Sequence, residues 1–147
     1  MKSEPQNYSI DNLYEDHTQP WDGVRNYQAR NFMRDKMQIG DLAFFYHSNT
    51  KIPAIVGISK VISEPYPDFT QFDAHSKYFD PKSTKDAPRW MLIDVEFVEK
   101  FKRPVTLNEL RSNVFLAGMQ ILQKGNRLSI TPVSHEHWEI IMQLASK

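Results

Sequence analysis

The stretch Trp90-Met91-Leu92-Ile93-Asp94-Val95-Glu96-Phe97-Val98-Glu99-Lys100 alternates apolar and polar side chains. Met91, Ile93, Val95 and Phe97 fall on one face while Asp94 and Glu96 alternate with them, the period-two pattern of a half-buried β-strand. Working outward, Leu42–His47 reads as a buried strand and residues 55–62 as another, with residues 49–53 as the turn between them. Gly57 inside the second of these predicts a bulge or a close backbone approach. Arg127–Thr131 reads as a further strand before Pro132.

Short helices lie between the strands. Ser9 opens one that carries Ile10, Leu13 and Tyr14, and Tyr27–Met37 is rich in good helix formers and is ended by Gly40. Arg30 and Arg34 stand one turn apart on it and share a face. Thr106 with Glu109 forms a capping box ahead of Leu107 and Leu110. Residues 116–123 read as a helical piece closed by Gly125. Ser134 caps a last helix whose apolar stripe is Trp138, Ile141, Met142 and Ala145, with Val133 and Trp138 as a hydrophobic staple. Between Ser63 and Arg89 lie four prolines and five aromatics (Tyr66, Phe69, Phe72, Tyr78, Phe79). So many rings bury themselves, which predicts an ordered covering loop. Strands scattered among short helices, without strand–helix alternation, predict an α+β fold with a mixed sheet closed into a small, partly open barrel. The chain's 147 residues fit one domain over 1–147 with one core.

Composition narrows the chemistry. Eighteen basic residues balance eighteen acidic ones, so any nucleic-acid contact must come from a local patch and a shaped pocket. With no cysteine, disulfides, thiolate metal sites and a cysteine nucleophile are excluded. Neither a signal-peptide h-region at the start nor an apolar run near 18 residues is present, and a cytoplasmic monomer is expected. No phosphate loop, dinucleotide fingerprint or nucleophile elbow occurs. His135-Glu136-His137 has the wrong spacing for a zinc helix, and His47 and Ser48, adjacent in a strand, point to opposite faces. Neither a metal nor a cofactor is expected.

Binding residues are better represented. Trp21-Asp22-Gly23-Val24-Arg25-Asn26-Tyr27 places an indole, a guanidinium, a carboxamide and a phenol beside a glycine, a set suited to holding a base. The same residue types also fit core packing for Trp21 and Tyr27 and a surface ion pair for Arg25, and composition leaves both open. Tyr46, His47 and Ser48 carry polar tips where a strand leaves the sheet. Pro88-Arg89-Trp90 adds a third aromatic beside a cation, and Gly125-Asn126-Arg127-Leu128-Ser129 a further cation and hydroxyl.

Together with Lys2-Ser3-Glu4-Pro5, the run Trp21–Asn31, Gly40-Asp41, Phe44–Ser48, Val56-Gly57-Ile58, Tyr66-Pro67-Asp68, Tyr78–Ser83, Pro88–Trp90 and Gly125–Ser129, these residues resemble the EVE domain over almost the whole chain. Ala54 stands where many relatives have Gly. The resemblance implies a PUA-like mixed β pseudo-barrel flanked by short helices. It also implies a non-enzymatic module that holds a modified base, a modified cytosine in DNA above all, in an aromatic pocket, alongside a restriction-type nuclease or other modification-linked protein. On that basis Trp21, Tyr46 and Trp90 are expected as pocket walls, Asn26, His47 and Ser48 as base-edge contacts, and Arg25, Arg30, Arg89 and Arg127 as phosphate contacts, with Tyr27 and Ser129 beside them.

Burying one methyl contributes roughly 0.8 kcal/mol, whereas extruding a base costs a few. Stacking and an edge contact, each about 1–3 kcal/mol, must supply the difference, so single-stranded targets are expected to load more readily. The alternative reading is an amidase acting on modified cytidine, in which Lys2, Ser3 and Glu4 mimic the lysine, hydroxyl and acid of another PUA-like group. A third is a protein-interaction adaptor with an empty cleft.

Overall fold

The computed structural model describes residues 1–147. The first strand, β1 (Lys2–Ser3), leads to α1 (Ile10–Asp16), where the Ser9 and Asn12 side chains cap each other's backbone, then to β2 (Thr18–Pro20). Helix α2 (Tyr27–Asp35) follows, then the hairpin of β3 (Leu42–His47) and β4 (Ala54–Val61). The covering segment contains β5 (Tyr66–Pro67) and a 3-10 turn at Phe69–Phe72. Beyond it come β6 (Met91–Leu92), β7 (Asp94–Thr106), α3 (Leu107–Ser112) and α4 (His135–Ala145). Five strands form a curled half-barrel in the order β1-β3-β4-β7-β2, in which only β1 runs parallel to its neighbour; β5 and β6 make a separate ribbon. This is the mixed, PUA-like pseudo-barrel flanked by short helices that the sequence predicts. No helix is long and apolar enough to cross a membrane.

Where the sequence reading expects one core, the sheet separates two. Phe45, Val56, Ile93 and Val95 pack with Ile10, Leu13, Trp21 and Met33 on one face. Phe44, Tyr46, Ile55 and Ile58 pack with Leu110, Leu116 and Ile141 on the other. Strand β7 serves both, with Val95 in the first core and Phe101 and Val105 in the second. Those residues have the same parity, so strict alternation would keep them on one face. An extra residue explains the switch: Ser59 pairs with Phe97 and Ile58 with Glu99, leaving Val98 as a bulge that inverts the facing and bends the strand.

Three elements differ from the sequence reading. The strand expected over 90–100 is two strands parted at Ile93, because Met91 and Leu92 pair with the covering segment whereas Asp94 onward pairs with β2 and β4. Residues 127–131 make no ladder: the Asn126 side chain accepts from the Leu128 N–H, closing a turn, and a lone strand-like bond runs from Lys2 N to Ser129 O. Residues 116–123 form no continuous helix: Leu116 ends one 3-10 turn, Val114–Leu116, and a second, Gln120–Leu122, lies within them. The covering segment is ordered, as expected. Gln71, fully buried, donates to the Asp68 and Trp90 carbonyls and accepts from the Ser83 hydroxyl and the Trp90 N–H.

His47, expected at a base edge, ties α1 to the sheet instead, its Nε2 accepting from the Ile10 N–H at 3.1 Å. Burial, together with the Lys100 charge, holds its imidazole below the ordinary value, with Asp11 opposing. A depressed histidine contributes stability that is present above its unfolded value, near 6.5, and is lost as pH falls through the folded one. Wild-type protein is therefore expected to lose stability below about pH 6.5 more steeply than His47→Gln, measured by urea melts across that range; identical slopes would remove His47 from the account.

Candidate nucleic-acid interface

Strand β2 delivers Trp21, whose N–H donates to the Ile93 carbonyl at 2.8 Å and whose ring sits edge-on to Phe45, 5.5 Å between centroids. The chain then turns at Gly23 (φ 79°), in the left-handed region where a Cβ is unfavourable. The Tyr78 ring lies directly against this glycine, leaving no room for a side chain. Asp68, fully buried, fixes the turn by accepting from Gly23 N at 2.8 Å and from Arg25 Nη1 at 3.1 Å, while its other oxygen takes the Thr70 N–H and hydroxyl. Arg25 spends its remaining donors on the Tyr78 and Val24 carbonyls and Thr70 Oγ1. One buried carboxylate and one guanidinium thus join the Trp21–Arg25 run to the covering segment.

Between them opens a cleft of about 450 Å³. Trp21, Gly23, Val24 and Tyr78 line it, as do the start of the chain (Lys2, Ser3, Glu4, Asn7, Tyr8), Gln19 and Pro20 of β2, Asp22 and Lys77, and Ser48, Arg127 and Ser129. Lys2, Lys77 and Arg127 form no ion pair. Burial lowers the Lys2 ammonium from its ordinary value. Burial, and next the Asp68 carboxylate, raises the Asp22 carboxyl, with Arg25, its own backbone N–H and Lys77 opposing.

Four of the expected base- and phosphate-binding residues therefore meet at the cleft, Trp21, Ser48, Arg127 and Ser129, together with Lys2, Ser3 and Glu4 of the amidase reading. Arg25, Tyr27, Arg30, Arg89 and Trp90 form a second group. Tyr27 stacks on Trp90 at 4.7 Å, Arg30 lies over Tyr27 at 4.6 Å and donates to the Arg89 carbonyl, and Trp90 Nε1 donates to Asp80. Trp90, stacked on Tyr27, is not among the residues that line the cleft. Asn26 is occupied as the N-cap of α2, accepting from the Gln28 and Ala29 N–H groups. Tyr46 faces the second core and lines a separate apolar cavity of about 280 Å³ with Phe44 and Trp138; strand alternation sends it away from the Phe45 face that Trp21 shares. The expected convergence of Trp21, Tyr46 and Trp90 on one cleft is therefore corrected to Trp21 with Tyr78. Sequence reading passed over Lys77 and Asp22 as well; Asp22 adjoins Trp21, a signal that was present, whereas nothing local ties Lys77-Tyr78 to Gly23.

The sequence model of the EVE domain matches residues 1–144. The chain belongs to the EVE domain family. This EVE chain is 42% identical over 165 residues to human thymocyte nuclear protein 1, covering all of itself and 73% of that relative. Among solved structures it is similar to a Pseudomonas syringae protein (TM-score 0.95, 45% identity, 99% of this chain and 97% of that one). It is also similar to the human THYN1 protein in complex with DNA containing 5-methylcytosine (TM-score 0.94, 42% identity, 100% and 96%).

Proposed function

We propose that this EVE chain binds DNA and reads a modified cytosine, taking the base into the cleft beside Trp21 and its flanking phosphates onto Lys2, Lys77 and Arg127. The observation that carries the reading is the cleft itself: Trp21 and two tyrosines, Tyr8 and Tyr78, on its lining, with three cations that are held in no ion pair. Its volume of about 450 Å³ lies within the range of pockets that enclose small ligands. The human relative bound to 5-methylcytosine DNA supports the same assignment. A chain of zero formal charge thereby presents a local anion-attracting site.

The test is fluorescence anisotropy with short single strands carrying cytosine or 5-methylcytosine at one position, over a salt series. The methylated strand is expected to bind several-fold tighter, in keeping with roughly 0.8 kcal/mol per buried methyl. Replacing Lys2, Lys77 and Arg127 by Gln is expected to flatten the log–log salt slope by about 2, at roughly 0.7 per lost phosphate contact. Equal affinity for both strands together with an unchanged slope would overturn the proposal.

Hydrolysis is the second reading, because Lys2, Ser3 and Glu4 all line the cleft. However, Ser3 Oγ donates to the Tyr8 carbonyl at 2.6 Å, and the Glu4 carboxylate accepts from Asn7 and Asn49. A nucleophile needs its base within hydrogen-bond reach. The arrangement therefore supports holding a base rather than cleaving one. Incubation with N-acetylated cytidine is expected to release no acetate.

A further inference from the structure

The cleft contains one anionic side chain with little to do inside the protein. Asp22 lies between Trp21 and Gly23, half-buried, and lines the cleft. It takes part in no ion pair within 4 Å, and apart from its own backbone N–H no donor of the protein bonds its carboxylate, although the Arg25 and Lys77 charges lie near enough to act on it. Its neighbours contrast with it: Asp68 takes four hydrogen bonds, and Glu4 takes two. No buried side-chain oxygen of the chain is left without a partner, so the Asp22 oxygens face the solvent of the cleft, where an N–H of a ligand can take the place of water.

The bases differ in what they bring. Cytosine presents an exocyclic N4 amino group, a donor that a carboxylate accepts, whereas thymine presents the O4 acceptor at the same place. Thymine and 5-methylcytosine share the ring, the methyl group and O2, and differ at positions 3 and 4. The methyl and the stacking surface therefore cannot tell them apart, and the edge must.

Building on the base-reading proposal above, we infer that Asp22 is the specificity-determining residue of the cleft, accepting a hydrogen bond from the exocyclic amino group of the bound base and excluding bases with a carbonyl there. Facing O4, the carboxylate would meet a second acceptor with no proton between them, and both groups would have lost water. Gln19, Ser48 and Ser129, which also line the cleft, are available to the remaining ring acceptors. Burial and the Asp68 charge raise the Asp22 carboxyl, while the Arg25 and Lys77 charges and its own backbone N–H oppose the rise and favour the carboxylate that discriminates.

The experiment measures affinity for single strands identical except at one position, which carries 5-methylcytosine, thymine or an abasic site, using wild type and Asp22→Asn at fixed salt. Wild type is expected to prefer 5-methylcytosine to thymine about tenfold or more. Asp22→Asn, whose amide turns to offer either an acceptor or a donor, is expected to bring the two strands within about twofold. Wild type that fails to distinguish them while binding both better than the abasic strand overturns the assignment of Asp22 and leaves base binding standing. So does an Asp22→Asn variant that keeps the wild-type ratio. Wild type that binds all three strands alike overturns the base-reading proposal itself, and this inference with it. The wild-type ratios need no variant to fold.

Discussion

Asp68→Ala is expected to cost about 3–5 kcal/mol of folding stability, the range for removing one member of a buried ion pair. Asp68 is fully buried, and its partner Arg25 has a side chain only 22% exposed, so little solvent replaces the lost carboxylate. The loss reaches beyond the pair, because the Gly23 and Thr70 N–H groups give up the same acceptor. Asp68→Asn keeps the shape and one acceptor oxygen but removes the charge, so an intermediate loss is expected. Urea denaturation of both variants provides the check, and an alanine variant within about 1 kcal/mol of wild type would show that the pair does not hold the turn. A functional loss should follow from the same geometry. With Gly23 released, Tyr78 loses the surface it rests on, so base affinity is expected to fall in both variants even at temperatures where they remain folded.

This dependence on a carboxylate some forty residues downstream of the turn explains why the cleft was only partly legible in the sequence. Features governed by neighbours along the chain were readable: the Thr106–Glu109 capping box, the Ser134 cap, the strand at Leu42–His47 and the close approach at Gly57 all appear where the local chemistry placed them. Trp21 was readable as a wall because its surroundings in sequence are rich in binding chemistry. Whether a given ring faces the cleft, however, depends on the pairing of distant strands. Tyr46 and Phe45 are adjacent, yet only Phe45 shares the Trp21 face, and that is settled by β3 lying between β1 and β4. Trp90, expected as a pocket wall, stacks on Tyr27 instead, a partner sixty-odd positions away that no local pattern announces. The failed strand at 127–131 has a local cause: the Asn126 side chain competes for the backbone donor that a ladder would need. Its consequence is functional, since a turn rather than a strand carries Arg127 and Ser129 to the cleft.

Gly57→Ala is expected to destabilise by about 3 kcal/mol or more, at the upper end of the cost of overpacking. The reason is steric and not conformational: the φ of Gly57 is not positive, and what a Cβ would strike is the Glu99 carbonyl oxygen of β7, with the Ile10 side chain 3.0 Å away. A side chain such as Ile10 can turn aside, whereas the Glu99 carbonyl belongs to the backbone of the partner strand. The new methyl must therefore force β4 and β7 apart at the centre of the sheet, beside the bulge at Val98. Adding Ile10→Val separates the two contacts. If the backbone clash dominates, the double variant is expected to be no more stable than Gly57→Ala, and recovery to near wild type would assign the clash to Ile10 instead. Because both cores are built on these two strands, base binding by Gly57→Ala should fall only in proportion to the unfolded fraction, with an unchanged salt slope. That signature distinguishes a scaffold residue from Lys2, Lys77 and Arg127, whose replacement is expected to change the slope and leave the fold intact.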